Sequence, residues 1–118
     1  MEYFLFICED PEAEPFVSSE DNVKEWAAEA DERGIHIQGN RLRPVEDATL
    51  VRRRGGELLV TDGPFAETKE TIAGYDILDC DTIEEAIEFA SRHPMARFGR
   101  IEVRAAWPLE FSTRGTPD

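Results

Sequence analysis

No apolar run in the chain reaches the roughly 18 residues that a membrane-spanning helix needs. Cysteine is scarce: Cys8 and Cys80 stand alone, with no CxxC pair and no Cys/His run. That excludes the usual four-ligand structural zinc site. Neither GxGxxG, GxxxxGK[ST] nor HExxH occurs, so no nucleotide, flavin or metal cofactor is expected. Basic residues are few. Lys plus Arg number 13 against 26 Asp plus Glu, a formal net charge of -13. A polyphosphate is bound by neutralising it with Lys and Arg, so nucleic acid is not an expected partner, and anionic membrane surfaces are disfavoured equally. The start "MEYFLFICED" lacks a basic segment and a small-residue cleavage site, so it does not read as a signal peptide. The expectation is a cytoplasmic protein with both thiols reduced.

What is present reads as one α+β domain over residues 1–107, followed by a loose tail, 108–118. Glu2 to Glu9 is a short apolar run with aromatics, suited to a central strand. A first helix is expected from Ser18 or Ser19, with Val23, Trp26, Ala27 and Ala30 as its apolar stripe and Gly34 as its C-terminal cap. Ile35 to Leu42 alternates as a half-buried strand. Thr49 to Thr61 reads as a hairpin turning at Gly55-Gly56. Ala73 to Cys80 is a further strand. Thr82 and Glu85 form a capping box for a second helix with Ile83, Ala86, Ile87 and Ala90 buried. Arg100 to Trp107 alternates again.

Setting the hairpin aside, the order is βαββαβ, the ferredoxin-like plan, with both helices on one face of an antiparallel sheet. The other face would carry Phe4 or Phe6 and needs a cover. A second copy of the chain is the simplest one, giving a homodimer built as a dimeric α/β barrel.

The stretches "VTDGPFAETKE" (60–70), "AGYDIL" from Ala73 and "GRIEVR" (99–104), with "MEYFLFICED" as first strand, closely resemble the YCII-related family in its DGPF subgroup. The resemblance runs to about Trp107. It implies a ferredoxin-like fold that dimerises into an α/β barrel. Some members are proposed enzymes with a His/Asp pair, and DGPF genes often neighbour extracytoplasmic-function sigma factors.

Several residues invite a functional reading. In the central motif, Asp62 can fix an Asx-type turn, Gly63 and Pro64 set the backbone, and Phe65 can anchor the loop. Glu67, Thr68, Lys69 and Glu70 add donors and acceptors with no apolar task. The segment is a rigid corner with dimer contacts, or the rim of a ligand pocket that would include Thr61, Gly63, Phe65, Glu67, Lys69 and Tyr75. Strand alternation directs Ile35 and Ile37 toward the helices, and His36 and Gln38 to the open sheet face. The same rule sends Ile101 and Val103 to the helices, and Glu102 and Arg104 to the open face. His36 with an acid such as Asp62, beside Arg104, would make an acid/base or anion site. The plainer reading is a surface histidine and cross-sheet salt bridges. His93 is expected to serve a helix C-terminus, with a pairing to Asp62 across subunits as the alternative. Asp76, Asp79 and Asp81 fit no metal loop. Cys8 and Cys80, on strands expected to run parallel, could lie within disulfide reach of about 7 Å. Arg52 to Arg54 read as a solvated strand edge. The expected function is small-molecule binding, with or without cofactor-free catalysis, or a sensing or interaction accessory linked to a sigma factor.

Overall fold

A computed structural model of the chain describes residues 1–63 and 71–109. The elements are β1 (Glu2–Cys8), α1 (Val23–Glu32), β2 (His36–Arg41), β3 (Thr49–Arg54), β4 (Glu57–Asp62), β5 (Ile72–Asp79), α2 (Ile83–Ser91), α3 (Met95–Phe98) and β6 (Arg100–Ala105). Four strands form a sheet in the order β2-β5-β1-β6, with every neighbouring pair antiparallel. This is the ferredoxin-like arrangement, with the β3–β4 hairpin as a separate two-stranded sheet. Among the described residues, no helix is long and apolar enough to cross a membrane.

Pairing defines the two faces. Leu5 stands opposite Asp76 and Val103, while Phe4 stands opposite Ile77 and Arg104. Directly opposed side chains share a face. Tyr3, Leu5, Ile7 and Leu78 therefore meet Trp26, Ala30, Ala86, Phe89 and Ala90 from the helices in one core. Leu5, Leu78 and Phe89 are fully buried, each contributing roughly 1.5–3 kcal/mol by leaving water. Ile101 and Val103 pack against this core as alternation requires.

Sequence cues set most boundaries. Thr82 Oγ1 accepts the Glu85 N–H at 3.2 Å and starts α2. Gly55 and Gly56 have φ of 58° and 78°, the two positive values that a tight hairpin turn requires. The first helix begins later than Ser18 or Ser19: Ser18–Glu20 is a 3-10 turn, and Asp21 Oδ1 accepts the Val23 N–H at 3.0 Å. The stripe of α2 also differs from expectation. Ala86, Phe89 and Ala90 are buried, whereas Ile83 and Ile87 are 41% and 51% exposed. The large Phe89 ring takes the inward position and rotates the helix about its axis.

The expected parallel pairing of the first and third core strands does not occur. β1 and β5 are antiparallel, so Cys8 lies opposite Ile72, while the Cys80 N–H bonds the Met1 carbonyl at the other end. At about 3.3 Å per residue the two cysteines are roughly 25 Å apart along the sheet, beyond any disulfide. Both side chains are buried. Burial, reinforced by Glu85, pushes the Cys80 thiol up to about 11.

Trp26 joins the helices. Its ring lies 4.8 Å from that of Phe89, and its Nε1–H donates to the Phe89 carbonyl at 2.8 Å. Trp26→Phe removes that donor and leaves the Phe89 carbonyl with the Arg92 N–H, at 3.2 Å. We expect a loss of about 0.5–1.5 kcal/mol, read as a lower urea midpoint at unchanged slope. An unchanged midpoint would show the bond to be dispensable.

Candidate functional site

The strand β2 carries an irregularity that decides the site. His36 pairs with Leu78 and Gln38 with Ile77, so two steps along β2 match one along β5. The extra residue, Ile37, is 49% exposed. A bulge of this kind turns one flank of the strand over. His36 therefore lies on the helix side with Leu78, whereas strict alternation directs it to the open face. Gln38 does face the open side, opposite Ile77.

On the helix side His36 meets an acid from β5. His36 Nε2 is 3.0 Å from Asp76 Oδ1. His36 Nδ1 is 3.3 Å from Asp31 Oδ1, near the end of α1. The His36 and Asp76 side chains are only 19% and 16% exposed, whereas Asp31 is 69% exposed. On the other side of Asp76, His93 Nε2 approaches Oδ2 at 3.9 Å. His93 Nδ1 accepts the Met95 N–H at 3.0 Å, so the proton of the neutral ring resides on Nε2, facing Asp76. The edge of the His93 ring packs against Trp26, with centroids 4.7 Å apart.

Gly39 makes room for this cluster. It stands opposite Asp76 in the ladder. A Cβ there would overlap Asp76 Oδ1 and come 3.0 Å from His36 Nε2. An isolated glycine within a strand is the signature of such a close approach.

Burial sets the electrostatics. It raises the Asp76 carboxyl above its ordinary value, and the hydrogen bond and charge of His36 oppose that rise without cancelling it. Burial also lowers His93 from 6.5 to about 4, against a weaker upward pull from Asp21. His93 is thus a neutral ring at physiological pH. The set can orient an imidazole, hold a carboxylate in a low-dielectric layer and move a proton between them and a ligand.

The other candidates lie elsewhere. Gln38 Nε2 and Asn40 Nδ2 both donate to the Tyr75 hydroxyl, at 2.8 and 3.0 Å, on the open face. Glu102 and Arg104 pair with one another at 3.0 Å on β6. β2 and β6 are opposite edges of the sheet, about 14 Å apart at three strand spacings. Arg104 therefore does not converge with His36, which is also on the other face. Asp62 and Thr61 are exposed on β4, opposite Thr49 and Leu50. Gly63, at φ 90°, donates its N–H to the Ala48 carbonyl at 2.7 Å. His36 is partnered by Asp76 and not by Asp62. Phe65, Glu67 and Lys69 lie outside the described residues.

Gly39 and Asp31 are the residues that sequence reasoning missed; Asp76 was weighed only as a metal ligand, and His93 as a helix-end group or a partner of Asp62 across subunits, not as a neighbour of Asp76. Two signals were available: Gly39 interrupting an alternating strand, and Asp76 falling in phase with the inward Leu78.

His93 supplies a pH test. The unfolded ring takes its proton near 6.5 and the native ring only near 4. Between those values the unfolded state binds more protons. Stability is therefore complete above 6.5 and is lost as pH falls toward about 4. The shift corresponds to at most about 3 kcal/mol. His93→Asn keeps an acceptor for the Met95 N–H and removes the titration. Urea unfolding at about pH 7 and about pH 4.5 should show a smaller acid loss in the variant, by roughly 2–3 kcal/mol. Equal losses would remove His93 as the cause.

Comparison with known proteins gives a lineage. The model of the YCII-related domain matches residues 1–110. An uncharacterised protein of Rhizobium meliloti (strain 1021) is 36% identical over an alignment covering 55% of this chain and 64% of that protein. The chain therefore spans somewhat under two-thirds of that relative's length. With a family match over nearly the whole described chain, on a ferredoxin-like α+β fold, the chain belongs to the YCII-related family.

Proposed function

We propose that the chain is a cofactor-independent acid–base catalyst for a small organic molecule, with His36 as the proton carrier and Asp76 as its orienting partner. The observation that carries this is the 3.0 Å contact between His36 Nε2 and Asp76 Oδ1 in a half-buried layer cleared by Gly39. A carboxylate on one ring nitrogen fixes the imidazole and balances the charge it gains, leaving the other nitrogen to work. Nδ1 is that nitrogen. Its neighbour Asp31 is largely exposed, and an exposed ion pair contributes only about 0–1 kcal/mol, so a ligand can displace it. The reaction class this supports is proton transfer at a carbon next to a carbonyl, as in an isomerisation or elimination.

Deuterium exchange tests it. A panel of small ketones, keto acids and lactones is incubated with the protein in D2O and followed by proton NMR. At least one should lose its α-proton signal, with the rate falling roughly 10²–10⁴-fold in His36→Gln. Exchange at the same rate in His36→Gln, or none with any compound, would sink catalysis by this pair. Saturable binding without exchange would favour ligand sensing.

We also propose that a second copy covers the open sheet face. Phe4 and Phe6 stack there at 6.0 Å, beside Tyr75 and Ile77. Aromatic surface of this kind favours burial against a partner. Light scattering should give twice the 13.4 kDa chain mass, and Phe4→Glu should halve it. A monomeric wild-type protein would exclude the homodimer.

A further inference from the structure

We propose that the β3–β4 hairpin is an arm that lies on the open sheet face of a second copy of the chain, with Arg53 pairing to the partner's Glu2; this rests on the homodimer reading above. The hairpin shares no ladder with the four-stranded sheet, and a lone two-stranded hairpin is marginally stable in water unless a face is covered. Its register sorts the side chains. Val51 stands opposite Val60 and Arg53 opposite Leu58 on one face, while Leu50, Arg52 and Leu59 lie on the other. The second face is half-buried within the chain. The first is open: Val51, Leu58 and Val60 are 64%, 53% and 56% exposed. The arm therefore does not lie on the sheet face of its own chain. Three large apolar side chains side by side on an uncovered face mark an interaction site.

The chain carries a matching surface. Phe4 and Phe6 on β1, with Ile77 and Tyr75 opposite them on β5, form an apolar patch two strands wide and two side chains long. Val51, Val60 and Leu58 occupy the same footprint on the hairpin, and the inner faces of two packed sheets interdigitate in this way. The charges match as well. Two residues beyond Val51 on β3 comes Arg53, which donates to the Gly56 carbonyl at 3.1 Å and meets no carboxylate among the described residues. Two residues before Phe4 on β1 comes Glu2, whose side chain has no partner among the described residues. Both steps are about 7 Å. Nearby charges do not cancel these two. Asp62 shares the hairpin face with Arg53 but stands opposite Thr49, about 13 Å away and beyond the screening length. Asp79, opposite Glu2, is neutralised by the N-terminal amine at 3.1 Å, and Glu102 by Arg104 at 3.0 Å. One chain thus bears an apolar arm with a spare cation and an apolar sheet face with a spare anion. Two copies satisfy both at once, each arm on the other's face, in a closed two-fold exchange.

Sedimentation equilibrium of the full chain gives the dimer dissociation constant. Val60→Ser should weaken the dimer by about tenfold or more, because a two-fold interface buries the valine twice. Arg53→Glu and Glu2→Arg should each weaken it by about tenfold, and the double variant should return to within about threefold of wild type, as a direct pair requires. All three positions are exposed in the single chain, so circular dichroism should not change. A monomeric wild-type chain would remove the homodimer reading and the arm with it. A dimer that Phe4→Glu dissociates, but that tolerates Val60→Ser and Arg53→Glu, would keep the homodimer and overturn the arm. A double variant that associates no better than the single ones would also overturn the proposal, since the pairing of Arg53 with Glu2 is what seats the arm.

Discussion

A carboxylate placed between a sheet and its helices must be compensated, and Asp76 is that carboxylate. Its exposure is 16%, and burial pushes its proton affinity up despite an imidazole at 3.0 Å. Leaving a buried charge without partners costs several kcal/mol. The surroundings answer that cost from three elements. β2 contributes His36 through a bulge and Gly39 through the absence of a side chain. The turn between α2 and α3 contributes a neutral His93, fixed by the Met95 N–H. Trp26, at the centre of the helix layer, closes over His93 and ties α1 to α2 through the Phe89 carbonyl. The helix packing and the site therefore share their central residues.

The sheet separates two polar systems. On the helix side, His36, Asp76 and His93 form a poorly solvated cluster capable of proton transfer. On the open side, Gln38 and Asn40 hold the Tyr75 hydroxyl beside Phe4 and Phe6, and Glu102 pairs with Arg104 at the far edge. Side chains on opposite faces cannot work on one small ligand, so the division restricts which residues cooperate. Much of the remaining surface charge is settled locally, as in the fork of Arg92 on Glu29 at 2.8 Å. Those exposed pairs trim repulsion in an acidic chain and contribute little each.

The sequence by itself determined the order of the strands and of the two longer helices, the hairpin turn, the start of α2 and the inward face of β6. Each follows from local rules: two glycines able to take positive φ, a threonine cap, and strict alternation along an unbroken strand. It also contained every residue of the site. What only the tertiary structure decided was the company those residues keep. One extra residue at Ile37 reversed the face of His36, and alternation has no means of registering a bulge that is visible only in the pairing with β5. The antiparallel pairing of β1 with β5 separated Cys8 from Cys80 while bringing Asp76, forty residues from His36, within hydrogen-bond reach. Periodicity reports which way a side chain points along its own strand. Register and bulges, set by pairing between strands distant in sequence, decide what it meets there.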